Sequence, residues 1–267
     1  CWFWGLALPL AQHDAQHDKQ RAAVLGPQQL FVQQGNAKEQ GKNGNKVGIG
    51  RRASGRKPFY AKVVHAVSGK GNNAAKIQQA VDAVWASDAA PGTVHLASGA
   101  HLVGPADRIN VVRPVNILGG DAPGTVQIDA ENVGGRRCML VNHPQAVVAG
   151  VTFKNGNYPV FTGTECAGVR LESGLVSNCI VTANTAKYAG GATVTGGLMT
   201  DSVLTNNFST DSGAYGRGGG LYQTGGIVRR CLIGANRANL GRGVYMTRGT
   251  LRESHVLGNT GGAYNTV

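Results

Sequence analysis

Five asparagines, Asn155, Asn184, Asn207, Asn236 and Asn259, close five copies of one segment, at spacings of 29, 23, 29 and 23 residues. Four copies open on a glycine: Gly174-LVSNCIVTA-Asn184, Gly197-LMTDSVLTN-Asn207, Gly226-IVRRCLIGA-Asn236 and Gly249-TLRESHVLG-Asn259. The first copy, from Gln145 to Asn155, fits more loosely. A unit of roughly 20 to 50 residues cannot bury an apolar face alone and becomes stable by stacking on its neighbours. The repeat therefore predicts a solenoid built from short strands, and says less about what the solenoid does.

Parity within the segment sets an inward face. Counting from the opening glycine, the fifth residue is small (Cys179, Ser202, Cys231, Ser254) and the seventh is apolar (Val181, Leu204, Ile233, Val256). Both share one side of a strand, as do the β-branched and small residues that suit a narrow core. The sixth residue, Ile180, Val203, Leu232 or His255, is also mostly apolar. Either the outer face is greasy or the phase shifts within the coil. A second strand precedes each opening glycine, with apolar residues at Val169, Ala192, Leu221 and Val244 after a run of small residues. The asparagines fit corners, where a short amide tolerates a left-handed backbone, and stacked amides can bond from coil to coil.

This alternation of a small-residue strand with a segment ending in Asn resembles the right-handed parallel β-helix superfamily, which includes pectate-lyase-like proteins. It is most similar to the repeats of polymorphic outer-membrane and autotransporter passengers. The resemblance covers 145–267 well and 64–144 loosely. It implies an all-β, right-handed parallel β-helix solenoid with an N-terminal capping helix. Residues 72–87 show helical spacing at Ile77, Ala80, Val81 and Val84, with Asn72 or Asn73 as caps. Short β-rich runs follow over 92–103, 109–112, 114–120 and 125–130. A helix over the first coil shields strand edges that would otherwise pair with other chains.

Residues 12–63 read as a flexible leader, rich in Gln, Asn, Gly, Lys and Arg. Residues 1–70 hold eleven Lys or Arg against three Asp or Glu, which is +8 of the chain's +12. Such a leader can contact an anionic surface, but no aromatic residues interleave its charges, so no specific nucleic-acid binding is expected. Residues 1–11 are apolar and resemble the end of a secretory signal segment; eleven residues are too few to span a bilayer. The expected location is secreted or cell-surface, of a bacterial envelope type, with the 145–267 repeats cut short at their C-terminal end. Five cysteines, Cys1, Cys138, Cys166, Cys179 and Cys231, match no zinc spacing. Cys179 and Cys231 share a column but lie two coils, about 9–10 Å, apart, beyond disulfide reach. They are expected to be free and buried.

Catalytic signals are weak. A glycosidase needs paired carboxyls about 5 to 10 Å apart, and the superfamily's lyases use calcium bound by carboxylates. From Cys138 onward the acids are Glu165, Glu172, Asp201, Asp211 and Glu253. Asn178, Asp201, Arg230 and Glu253 form one column, which reads as a charge ladder on a solvated strand. Asp129 and Glu131 sit two residues apart in QIDAENVGGRR, on one face and near Arg136 and Arg137 at a coil corner if the strand continues, but the stretch reads more readily as a polar turn between coils. Asp129, Glu131 and Asp211 are the weak catalytic candidates.

Binding signals are clearer. Tyr222, Tyr245 and Tyr264 recur at one place in successive strands and are expected to face outward, as a platform for sugar rings or as a stabilising aromatic stack. The stretch from Asn to the next strand's glycine is 13 residues after Asn155 and Asn207, and 7 after Asn184 and Asn236. Two long loops, 157–167 and 208–218, should leave one side and gather Tyr158, Phe161, Asp211, Tyr215 and Arg217, and insertions on one face of a repeat protein often mark its binding face.

The function expected is a non-catalytic structural, adhesive or carbohydrate-binding module, with a polysaccharide or cell-surface ligand and no cofactor. The alternative is a polysaccharide lyase or glycosidase, and only that alternative calls for calcium. The sequence leaves the oligomeric state open, monomer or otherwise.

Overall fold

Each coil of the repeat lays its strands onto the next in parallel register, giving a β-solenoid of about six turns. The computed structural model describes residues 63–66, 74–83, 91–104, 109–120, 124–160, 165–211 and 216–261. The expectations for 1–11, for 12–62 and for Phe161, Tyr215 and Tyr264 lie outside the described residues.

One sheet runs in the order Val63–Ala66, Gly92–Leu96, Val115–Leu118, Met139–Ala149 and Val169–Ser177. It then continues as paired short strands, Ala192–Val194 with Leu198–Thr200, Leu221–Gln223 with Ile227–Arg229, and Val244–Met246 with Thr250–Arg252. A second sheet stacks Gly99–Leu102, Val126–Asp129, Thr152–Lys154, Ile180–Thr182, Val203–Thr205, Leu232–Gly234 and His255–Leu257. A third, narrow sheet holds Asn157–Tyr158, Thr185–Ala186 and Phe208–Ser209.

The inward phase is as parity predicts in three of the four glycine-opened copies; in the last, Ser254 is half-buried and Val256 is exposed. Cys179, Val181, Ser202, Leu204, Cys231 and Ile233 are all buried, while Ile180 and Val203 are half-exposed and Leu232 is exposed. The outer face is greasy and the phase does not shift. The helix forms over Ala74–Ala83 and buries Ala74, Ile77, Ala80 and Val81; Val84 and the two capping candidates lie outside the described residues. It packs beside the strand Ile109–Val111. The Gln78 side chain accepts from the Asn110 N–H at 2.7 Å and donates to the Asn110 carbonyl at 3.3 Å. A side-chain amide thus takes the place of a neighbouring strand along an edge that would otherwise be open.

Four of the five asparagines form a ladder, buried at Asn184, Asn207 and Asn236 and half-buried at Asn259. Asn207 Oδ1 accepts from the Asn184 backbone N–H at 3.1 Å and from Asn184 Nδ2 at 2.9 Å. Asn207 Nδ2 donates to the Val181 carbonyl and to Asn236 Oδ1. Asn236 and Asn259 repeat the pattern, with Nδ2 donating to the carbonyls of Leu204 and Ile233. Space for these amides comes from glycines of the preceding strand: a Cβ on Gly191, Gly220 or Gly243 would sit 2.9, 2.6 or 2.4 Å from the nearest atom of Asn207, Asn236 or Asn259 that it meets. The small-residue strand and the asparagine are therefore two halves of one device.

Asn155 is out of register. Thr152–Lys154 pairs with Ile180–Thr182, so Asn155 lies level with Ala183 and Gly156 with Asn184. Gly156 N–H donates to Asn184 Oδ1 at 2.8 Å, ending the ladder with a backbone group, while Asn155 Nδ2 turns to Asp129 Oδ1. The left-handed residue of the corner is also not the ladder asparagine. It is the residue before it, Ala183, Asn206, Ala235 or Gly258, with φ of 54, 54, 54 and 63°; Asn155 occupies this column at 55°.

The two asparagine types predict different costs. Asn207→Ala strands the Asn184 N–H and the Val181 carbonyl in the core and is expected to cost about 3 kcal/mol. Asn155→Ala removes one half-buried bond and is expected to cost about 1 kcal/mol. Urea unfolding of the two variants beside the parent measures the difference; equal costs would contradict the register described.

Candidate functional site

The solenoid carries its ionisable side chains on corners and flanks, and the described carboxylates are mostly answered by a cation. Asp129 ends its strand, and the chain then turns through Glu131 and Asn132, both with positive φ (55 and 57°). The strand does not continue, so Asp129 and Glu131 do not share a strand face, and a polar turn between coils stands there instead. Asp129 Oδ1 accepts from the Glu131 N–H at 2.8 Å and from Asn155 Nδ2 at 2.9 Å, and Oδ2 pairs with Lys154 Nζ at 3.3 Å. Glu131 pairs with Arg136 Nη1 at 2.8 Å, and that guanidinium also donates to the Val103 carbonyl. Arg137 turns away to Glu165, which is shared with Arg170 at 3.0 Å, and Arg170 also pairs with Glu172. Partial burial pushes the Asp129 carboxyl up, but the Glu131 N–H, the Asn155 amide and the Lys154 ammonium outweigh it and hold it below the usual carboxylate range. A carboxylate held so favours its ionised form, the opposite of what the acid of glycoside cleavage needs.

The column Asn178, Asp201, Arg230, Glu253 is a left-handed corner, not a strand, with φ of 50, 52, 51 and 52°. Arg230 grips Asp201 through Nε at 2.6 Å and Nη2 at 2.8 Å. The hydrogen bonds from Arg230 hold the Asp201 carboxyl low. Both side chains are close to half exposed, and such a pair contributes little. Arg252 and Glu253 lie 3.9 Å apart on the next coil.

The tyrosine column is not an open platform. Tyr222 is 6 % exposed and Tyr245 is half-buried. Tyr188, for which the repeat has no counterpart, meets Tyr222 edge-on with ring centroids 5.0 Å apart, and Tyr222 and Tyr245 are tilted at 5.7 Å. Arg217 lies over the rings of Tyr188 and Tyr245, at 5.7 and 5.0 Å, and donates to the Tyr188 hydroxyl at 2.9 Å. Burial, together with the neighbouring Tyr222, pushes the Tyr188 hydroxyl up to about 12. Sequence reasoning paired Arg217 with the long loops; the structure makes it the lid of the aromatic cluster. Tyr188 was missed because it belongs to no column.

Both long loops leave the third sheet on one flank, since Asn157–Tyr158 and Phe208–Ser209 pair with the same intervening strand. Tyr158 is buried with Ala167 and Ala186, under Arg137 at 5.9 Å from the ring centroid. Asp211 is half-buried at the base of the second loop. The tips lie outside the described residues, so Phe161 and Tyr215 have no position here. Among the described residues no three His, Cys, Asp or Glu side chains group as a metal site. No helix among them is long and apolar enough to cross a membrane.

Cys138, Cys166, Cys179 and Cys231 are free and buried, as expected for the two in one column. Burial pushes all four thiols up, Cys179 to about 12. No family model matches the chain, and no curated protein or solved structure matches it. The fold therefore rests on its own geometry.

Two outcomes follow from this chemistry. Alkylation at pH 8, mapped by mass spectrometry, should leave these four cysteines unmodified in the folded protein and modify all four in urea; rapid native labelling of any one would contradict its burial. The stability contributed by Asp129 is present above about pH 4, the unfolded value, and is lost as pH falls through its lower folded value. Acid unfolding of Asp129→Asn should accordingly be flatter below pH 4 than that of the parent, and coincident curves would contradict the depressed carboxyl.

Proposed function

We propose that the chain is a non-catalytic β-helix module of a secreted or cell-surface protein, which presents its flanks to carbohydrate or to neighbouring surfaces. The observation that carries this reading is the fate of the carboxylates. Asp129, Glu131, Glu165, Glu172, Asp201 and Glu253 are each engaged by an arginine or lysine. An acid-base pair needs two carboxyls with their protonation set apart and free to face a substrate. Cations tying each carboxylate to its own or a neighbouring coil serve coil cohesion instead. The same construction suits a scaffold: a stacked core needs no disulfide, and both long loops start from one flank of the third sheet, as insertions at a binding face do. Buried free thiols are compatible with a secreted solenoid on the same ground. The superfamily resemblance adds carbohydrate as the ligand class.

Incubation of the full chain with acidic and neutral polysaccharides, with and without calcium, tests the reading. Absorbance of unsaturated products and release of reducing ends should both stay flat, while retardation in affinity electrophoresis shows binding to at least one polymer. Turnover of any polymer would overturn the proposal in favour of a lyase or glycosidase.

A further inference from the structure

The positive charge of the solenoid is not spread along its axis. Residues 165–211 carry Arg170 and Lys187 against Glu165, Glu172, Asp201 and Asp211. Residues 216–261 carry seven arginines, no lysine and a single acid, Glu253. Four of these arginines, Arg229, Arg230, Arg248 and Arg252, lie along the paired strands Ile227–Arg229 and Thr250–Arg252 and their corners. Arg229 and Arg252 are direct partners across the ladder. Their guanidinium-bearing positions are therefore about 4.8 Å apart. The same column holds Ser177 and Thr200 in the two preceding coils.

Two like charges placed directly opposite on neighbouring strands repel. Nothing in the coil geometry requires them, because the interior coils place small hydroxyl side chains at this position. Arg230 is held by Asp201, and Arg252 has only the distant Glu253. Among the described residues Arg229 and Arg248 form no ion pair, and the Arg229 Nε is shielded from water without a hydrogen-bond partner. Arg230, Arg248 and Arg252 are exposed. An anionic group seated between Arg229 and Arg252 would turn the repulsion into two charge-assisted bonds.

We propose that this arginine strip binds a sulfated polysaccharide. The choice among polyanions follows from the surface. Guanidinium is weakly hydrated and presents a planar fork, which suits a sulfate ester, itself weakly hydrated and charged at every working pH. Sulfates repeating along an extended sugar chain meet arginines repeating along the coil axis. Single-stranded nucleic acid would call for rings to stack its bases, and the tyrosines of this part of the solenoid are covered by Arg217 and Tyr188; duplex DNA, which arginines hold through its phosphates alone, is set apart by the test below. The assignment rests on the reading of the solenoid as a binding module.

The test uses the full chain, with heparin as the sulfated probe and desulfated heparin, a polyuronate and duplex DNA beside it. The strip variant is Arg229→Ser with Arg252→Thr, which installs the residue types of the interior coils and so keeps the fold. A charge-matched control is Lys76→Gln with Arg113→Gln, at the far end of the solenoid. Thermal melting confirms that both fold. Heparin affinity should fall at least tenfold in the strip variant and stay within twofold in the control, with the salt slope reduced by about one per arginine removed. Desulfated heparin, polyuronate and DNA should bind more weakly to the parent. An unchanged strip variant, or equal losses in both variants, would overturn the assignment and point to bulk charge. Equal affinity for polyuronate or DNA would overturn the choice of sulfate. Cleavage of a probe would instead overturn the underlying reading of a non-catalytic module, so the two failures are separable.

Discussion

A buried amide with all its bonds made is what the solenoid depends on. Each ladder asparagine from Asn207 on satisfies a backbone N–H and a carbonyl of the coil before it, and Asn184, Asn207 and Asn236 also donate to the amide of the next rung. A buried peptide group without a partner costs far more than a satisfied one gains. The corner can therefore close only where the amide stands, and the chain is pinned to one register coil after coil. The requirement reaches the opposite strand, where glycine must leave room for the amide. Once both conditions are met, the parities of the three sheets follow, and with them which residues enter the core. The inward columns then alternate thiol or hydroxyl with aliphatic side chains, which keeps the cross-section narrow enough to fill without voids.

Fixing the register also fixes what is left on the outside. Corner columns become rows of left-handed residues, and charges placed there meet the next coil at ladder spacing. Asp201 and Arg230 use that spacing to attract. Arg229 and Arg252 sit at the same spacing with like charge, where no attraction between coils is gained. The aromatic cluster obeys the same geometry with a different result: Tyr222 and Tyr245 stack as the repeat dictates, yet a non-repeating Tyr188 and an arginine from a long loop close over them.

Most of the fold was legible in the sequence because it is periodic. Five asparagines and their glycines pointed to the solenoid and its inward columns, and the spacing of Ile77, Ala80 and Val81 to the helix before it. What stayed hidden is what departs from the period. Asn155 looked like a rung, but the turn through Gly156 shifts it by one residue, a displacement that no spacing argument detects when the preceding copy is loose. Tyr222 looked exposed because its neighbours pointed inward, and the residue that covers it has no counterpart in other coils. Asp129 and Glu131 could share a face only if their strand continued, and the polar turn that QIDAEN also suggested is what forms. The charge segregation was present in the composition all along, but the basic leader dominated the total.

Native-state hydrogen exchange resolved at the backbone amides of Asn184, Asn207 and Asn236 tests the ladder most directly. These N–H groups sit at corners, where exchange is ordinarily fast, yet each is bonded to the side-chain amide of the next rung, buried at Asn207 and Asn236 and half-buried at Asn259. Protection matching the slowest strand amides, such as Val181 and Leu204, is the predicted result. Exchange as rapid as that of exposed corner residues such as Arg230 would contradict the claim that the amide ladder holds the coils together.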